Sequence, residues 1–362
     1  NGVAVALMLM VLDDDEIEHP PVECVFTTEE EVGLNGAKAL DKSVLKARTM
    51  INMDSEDEGV ATVSCAGGLR VQFTKEIQRT TVQGSLLTLK VEGLLGGHSG
   101  QDIDKERQNA DLLMARMIQR LLKETKGQLV SFNGGTKDNA IPRECEASLI
   151  YESDEEAAKA EELACELAET YAEELTPAEP DFSCEISCET NRTAEAIPQD
   201  AAKEFICAMR LAPNGIQKRN IKMDGFVVVS LNLGVVRTEE DRIVMIFSPR
   251  SSVASLQEDT KERLNTLAET FGFTVSHSSE YPGWSFKEDS PVREICKESY
   301  KELFGEDLKI EAIHAGLECG LFSDAIKGLD AIAIGPTIAN CHTPDEYLTL
   351  DSFERFYEFL KD

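Results

Sequence analysis

Basic residues are scarce: 36 Lys and Arg stand against 67 Asp and Glu in 362 residues, a formal charge of -31. A field of that sign repels phosphate backbones and anionic membrane surfaces, which excludes nucleic acid and membranes as partners. It concentrates cations instead, so acids gathered in a cleft either shift their pKa values or bind metal. A bilayer-spanning apolar run is also missing. Residues 3–12 are strongly apolar, but the run is too short to span and ends in Asp13-Asp14-Asp15-Glu16, which predicts a buried helix. The ten cysteines have no repeated spacing, so a disulfide framework is excluded in favour of reduced, mostly buried thiols and a cytoplasmic location. Cys184 and Cys188 share a face if their segment is a strand, yet no second pair follows at zinc-knot spacing. A nucleophile elbow is absent too, because Gln101 follows Gly97-His98-Ser99-Gly100 where that motif needs its second glycine.

What the chain does have is organised around Cys24-Val25-Phe26-Thr27-Thr28-Glu29-Glu30-Glu31-Val32-Gly33. The apolar half reads as a buried strand and the acidic half as its terminal loop. Such a loop is either a solvated stretch of a very acidic protein or a place where one carboxylate holds metal while its neighbour moves a proton. Around it the pattern is doubly wound: a helix from residue 3, a strand over 22–26, a short helix over 37–45, and strands over 48–53 and 59–66. Residues 85–278 follow another order, with strands and long amphipathic helices in two similar α+β sets, and from residue 290 the first pattern returns. The expected fold is therefore α/β, with a mostly parallel central sheet in a discontinuous catalytic domain (1–67 and 280–362) split by an inserted α+β domain (68–279).

In an open α/β sheet, ligands gather outside the carboxyl ends of the strands. Four predicted strands end in unusual polar groups: Glu30 and Glu31, Asp54, His314 with Glu318, and His342. One strand-end acid is usually a helix cap or a solvated turn. Carboxylates and imidazoles at four ends point instead to a shared catalytic metal site, with donors suited to zinc or manganese.

The segments TEEEVGLNGA, INMDSEDEG, CAGGL, GGHSG, FNGGTKDNAIPRE, HAGLECGLF and GPTIANCHTPDE, in this order, span nearly the whole chain. In them the chain resembles the aminoacyl-histidine (Xaa-His) dipeptidases of the two-zinc aminopeptidase-like hydrolases. The resemblance implies a split catalytic domain with a lid and two Zn2+ per site, Mn2+ or Co2+ being possible substitutes. It makes Glu30 the general base and Glu31, Asp54 and His342 metal ligands, with Glu31 and His342 on one ion and Asp54 on the other. Attack by a metal-bound hydroxide on the peptide carbonyl of a small dipeptide is then the expected reaction, with preference for a carboxyl-side histidine. His98 is expected to donate to the oxyanion, Asn139 to the substrate backbone, Arg250 to the substrate carboxylate, and Glu318 to pair with the free amine. A homodimer through the lid is a further expectation. The family carries a His-x-Asp motif and a metal-bridging aspartate directly before an Asn-Gly pair, whereas this chain begins at Asn1-Gly2; the polypeptide is accordingly expected to bind zinc poorly and to be nearly inactive. Other readings of the residues are a related tripeptidase or amide deacylase, or a binding protein without catalysis.

Overall fold

Capping and periodicity decide where the helices start. In Pro291–Phe304, Ser290 Oγ accepts from Arg293 N (3.3 Å), proline occupies the first turn, and Gly305 closes the last turn at φ 72. In Ala110–Glu124, the Asn109 side chain accepts from Asp111 N and Leu112 N, while Leu113, Met114, Met117, Ile118 and Leu121 form one buried stripe. The computed structural model describes residues 2–31, 33–221, 225–341 and 343–362. It divides into two units, one of residues 1–67, 252–254 and 281–362 and the other of 68–251 and 255–280.

The first unit holds a four-stranded sheet in the order Thr49–Asn52, Asp330–Ala333, Val60–Cys65, Lys309–Ile313. The two outer pairs are parallel, and a single antiparallel bridge, Ala333 to Thr62, joins them. Trp284 exchanges backbone hydrogen bonds with Cys65 and packs with Ala37, Cys319, Phe322, Ala331 and Ala333 into the core. The helix Gly2–Asp13 forms where residues 3–12 predict it, but it is not the buried helix expected: among its described residues only Leu7 is buried, and Val5, Leu9 and Leu12 are exposed.

Two further expectations need correction. Residues 22–26 are not a strand. Pro20 and Pro21 remove two ladder donors just upstream, and although Val25 packs on the core, Phe26 is 47% exposed. The other concerns His314. The central bridge is antiparallel, so Lys309–Ile313 runs opposite to Thr49–Asn52, and the strand end before His314 lies at the other edge of the sheet from the end that precedes Asp54.

The second unit is a nine-stranded sheet, antiparallel from Arg242–Ser251 through to Ser183–Ala196. Along it run Thr274–Tyr281, Gly67–Glu76, Arg242–Ser251, Phe226–Thr238, Gln128–Gly134, Cys145–Tyr151, Thr80–Glu92 and Ser183–Ala196, with Gly215–Asn220 beside Phe226–Thr238. The order is palindromic. Thr80–Glu92, Ala110–Glu124, Gln128–Gly134, Cys145–Tyr151, Asp154–Leu175 and Ser183–Ala196 make one strand-helix-strand-strand-helix-strand set. Gly67–Glu76 supplies the first strand of a second set, completed by Gln199–Leu211, Phe226–Thr238, Arg242–Ser251, Ala254–Thr270 and Thr274–Tyr281. The halves meet where Val236 pairs with Gly134. Apolar side chains of all four helices share one core with the sheet, in which Phe73 lies 4.8 Å from Phe247 and 5.9 Å from Phe273.

Candidate functional site

In the first unit the acidic loop is shaped by its own backbone. Gly33 N and Leu34 N donate to Glu30 O, Asn35 N donates to Glu29 O, and Gly36 N donates to Thr28 O. Gly36 presses on Thr28 so closely that an added Cβ would lie 2.4 Å from its backbone, which makes glycine obligatory there. Glu318 opens the helix Glu318–Ala325 and accepts from Thr27 Oγ1 (2.8 Å). Burial raises the Glu318 pKa, Thr27 draws it back, and the charge of Glu30 raises it again.

Asp54 follows the strand Thr49–Asn52, and its N–H donates to Asn52 Oδ1 (3.0 Å). Its carboxyl is pushed up to about 7, by burial first and then by the negative charges of Glu30, Glu318 and Glu31. The structure thus brings Glu30, Glu31, Asp54 and Glu318 into one neighbourhood. Among the described residues, no three His, Cys, Asp or Glu side chains are already arranged as a metal cage. The donor chemistry nonetheless fits a divalent ion, because carboxylates that hold one another's protons on are what a hard cation would relieve. His342 lies outside the described residues; the loop that contains it is flanked by Ile338–Ala339 pairing with Tyr347–Leu348. His314 is buried, four residues before Glu318.

In the second unit His98, Asn139 and Arg250 come together. Gly97–His98 pairs with Ala140–Ile141, and Ser99 N donates to Asn139 O (2.9 Å). His98 Nδ1 accepts from Gly100 N (3.2 Å) and Gln101 N (3.0 Å). A nitrogen that accepts twice is the unprotonated one, so the proton resides on Nε2, leaving a neutral N–H donor. Burial and then the positive charge of Arg250 lower the His98 pKa, which keeps the ring neutral. Arg250 itself is buried on the strand Arg242–Ser251, where it pairs with Ser230.

Residue reasoning missed the groups that hold these loops. Glu179, 3% exposed, accepts from Leu95 N (2.7 Å) and Gln108 N (2.8 Å), clamping both ends of the segment that carries His98. Asp102 accepts from His98 N (2.8 Å) and pairs with Lys105 (2.5 Å). Asn232 Nδ2 donates to Ala140 O (2.8 Å), and Asn109 Nδ2 to Leu233 O (2.8 Å). Glu179 sits in an unremarkable Ala-Glu-Pro stretch with no sequence signal, while Asn109 is visible as a helix cap.

Over residues 1–362 the chain matches peptidase family M20/M25/M40, and it belongs to that family of metal-dependent peptidases. It is 34% identical over 368 residues to the cytosol non-specific dipeptidase of Escherichia coli (strain K12), covering 100% of this chain and 75% of that one. The crystal structure of aminoacylhistidine dipeptidase from Vibrio alginolyticus superposes with a TM-score of 0.93 at 34% identity, over 99% of this chain and 73% of that one. Uncharacterized protein YqjE of Bacillus subtilis (strain 168) is 29% identical over 134 residues, 37% of this chain and 33% of its own.

Proposed function

We propose that this protein is an active metal-dependent dipeptidase that cleaves Xaa-His and other small dipeptides, with zinc as its metal and two ions per site, a reading that the match over residues 1–362 favours over the near-inactivity expected from the Asn1-Gly2 start. The observation that carries the reading is the crowd of carboxylates around Asp54 in a chain whose full length resembles a dipeptidase. Bound divalent zinc supplies an activated water and a polarised carbonyl. Glu31, Asp54 and His342 are the residues proposed to hold it. Glu30 takes the proton from the attacking water and returns it to the leaving amine. Glu318, presented at a helix start and oriented by Thr27, pairs with the free amine of the substrate.

We assign recognition to residues of the second unit, of this chain or of a second copy of it. His98 offers a neutral Nε2–H to the oxygen of the tetrahedral intermediate. Asn139 serves the substrate backbone, and Arg250 the terminal carboxylate through a bidentate pair. Among the described residues, no helix is long and apolar enough to cross a membrane.

The direct test replaces Glu30 by Gln, which keeps the shape and removes the base. Metal content should stay at the wild-type level while hydrolysis of a dipeptide such as Gly-His falls to background. Turnover retained at more than a few per cent removes Glu30 from its role, and a panel that favours tripeptides or acylated amino acids over dipeptides replaces the substrate assignment.

A further inference from the structure

Three successive carbonyls of the turn that carries Asn139 are engaged from within the second unit. Asn232 Nδ2 donates to Asp138 O (3.4 Å) and to Ala140 O (2.8 Å), and between them Ser99 N donates to Asn139 O (2.9 Å). Asn139 itself is exposed, so its side chain is presented to solvent while the backbone on both sides of it is tied. One amide group brackets one residue.

Asn232 is 1% exposed on the strand Phe226–Thr238. An amide buried that deeply is tolerated where its polar atoms are paired. Its Oδ1 accepts from Asn109 Nδ2 (3.4 Å), which also donates to Leu233 O (2.8 Å). Asn109 is fixed in turn, because its own Oδ1 caps the helix Ala110–Glu124 through Asp111 N (3.0 Å) and Leu112 N (3.2 Å). The backbone of the same strand approaches the same turn. Its register on Arg242–Ser251 slips between Leu233 and Val235, and at Gly234, inside that irregularity, an added Cβ would lie 2.5 Å from Asp138 O. Ser230, on the face of the strand that carries Asn232, is the residue paired with Arg250. One strand therefore supports both Asn139 and Arg250.

We propose that Asn232 is a positioning residue for Asn139. By holding the carbonyls of residues 138 and 140 it fixes the direction in which the Asn139 amide meets the substrate, and Asn109 locks Asn232 from behind. The proposal rests on the substrate-backbone role given to Asn139 above.

A double-mutant cycle in the metal-loaded protein tests it, with Gly-His hydrolysis and amide hydrogen exchange as the two readouts. Asn232→Ala should lower kcat/KM about tenfold or more. It should shift the same parameter, kcat or KM, that Asn139→Ala shifts, and speed exchange at the Ser99 and Ala140 amides. Added to Asn139→Ala it should change kcat/KM by less than about twofold, because a group that acts through another has no effect once that other is gone. Asn109→Ser retains an oxygen for the helix cap and removes the amide behind Asn232. It should fold and lower kcat/KM in the same way by a smaller factor, so it decides the matter if Asn232→Ala folds poorly. A loss in Asn232→Ala that multiplies with that of Asn139→Ala, or wild-type kinetics and exchange in both Asn232→Ala and Asn109→Ser, overturns this proposal alone. Wild-type kinetics in Asn139→Ala instead remove the role given to Asn139, and the proposal falls with it.

Discussion

Glu179 offers a sharp perturbation because it makes no contact with the reacting groups yet holds both ends of the segment that presents His98. Its carboxylate takes one oxygen to Leu95 N (2.7 Å) and the other to Gln108 N (2.8 Å). Hydrogen bonds to a charged acceptor contribute about 1.5–3 kcal/mol each. Both are only partly buried, so Glu179→Ala should cost roughly 2–4 kcal/mol in total. Glu179→Gln keeps one acceptor oxygen but turns an NH2 group toward the other backbone N–H, and should cost about half as much. Urea denaturation reads the stability. The functional consequence is separate: the loop loosens, so kcat/KM for a dipeptide falls while metal content stays unchanged, and the amides of Leu95 and Gln108 exchange faster with solvent. If Glu179→Ala unfolds at the wild-type midpoint with unaltered exchange at those two amides, the clamp reasoning is wrong.

Other expectations concern the same unit. Arg250→Ala should raise KM for free dipeptides but leave amidated dipeptides unaffected, as steady-state kinetics on the two substrate types will show. His98 has its pKa lowered by burial and by Arg250, so the folded state prefers the neutral ring. The associated stability is present above the unfolded-state value of about 6.5 and is lost as pH falls through the lowered folded-state value. An NMR titration should therefore place His98 below a solvent-exposed histidine, and Arg250→Ala should move it upward. Gly97→Ala should cut turnover at unchanged metal content, because Gly97 has φ +140 and a Cβ would meet Arg107 and Asp102 at 2.6–2.9 Å, displacing His98; crystallography or kinetics on that variant checks it.

Periodicity made most of the fold legible. Amphipathic helices such as Ala110–Glu124 announce themselves by cap and stripe, and the repeated element order foreshadows the palindromic sheet. The strand Gly67–Glu76 carries its own signal, since the buried Leu69, Val71 and Phe73 alternate with Arg70, Gln72 and Thr74. Residues 22–26 misled in the other direction, since an apolar run says nothing about whether a ladder partner exists, and two prolines precede it. The parallel pairing of the first unit's sheet was legible in its apolar strands, but the single antiparallel bridge between Ala333 and Thr62 left no mark on the sequence. Side chains acting across long sequence separations, such as Glu179 on Leu95 and Gln108, leave no local pattern at all. The acids that do gather, Glu30, Glu31, Asp54 and Glu318, were visible because each sits in a loop or at a helix start beside an apolar element.

The account rests on those carboxylates holding divalent metal for peptide hydrolysis. Its most direct measurement is Gly-His cleavage by protein stripped with a chelator, reloaded with zinc, and compared with Asp54→Ala carried through the same cycle. The prediction is that turnover vanishes on stripping, returns with zinc in the wild-type protein, and does not return in Asp54→Ala, which retains less metal. Cleavage that persists after the metal is removed, or that Asp54→Ala recovers in full, contradicts it.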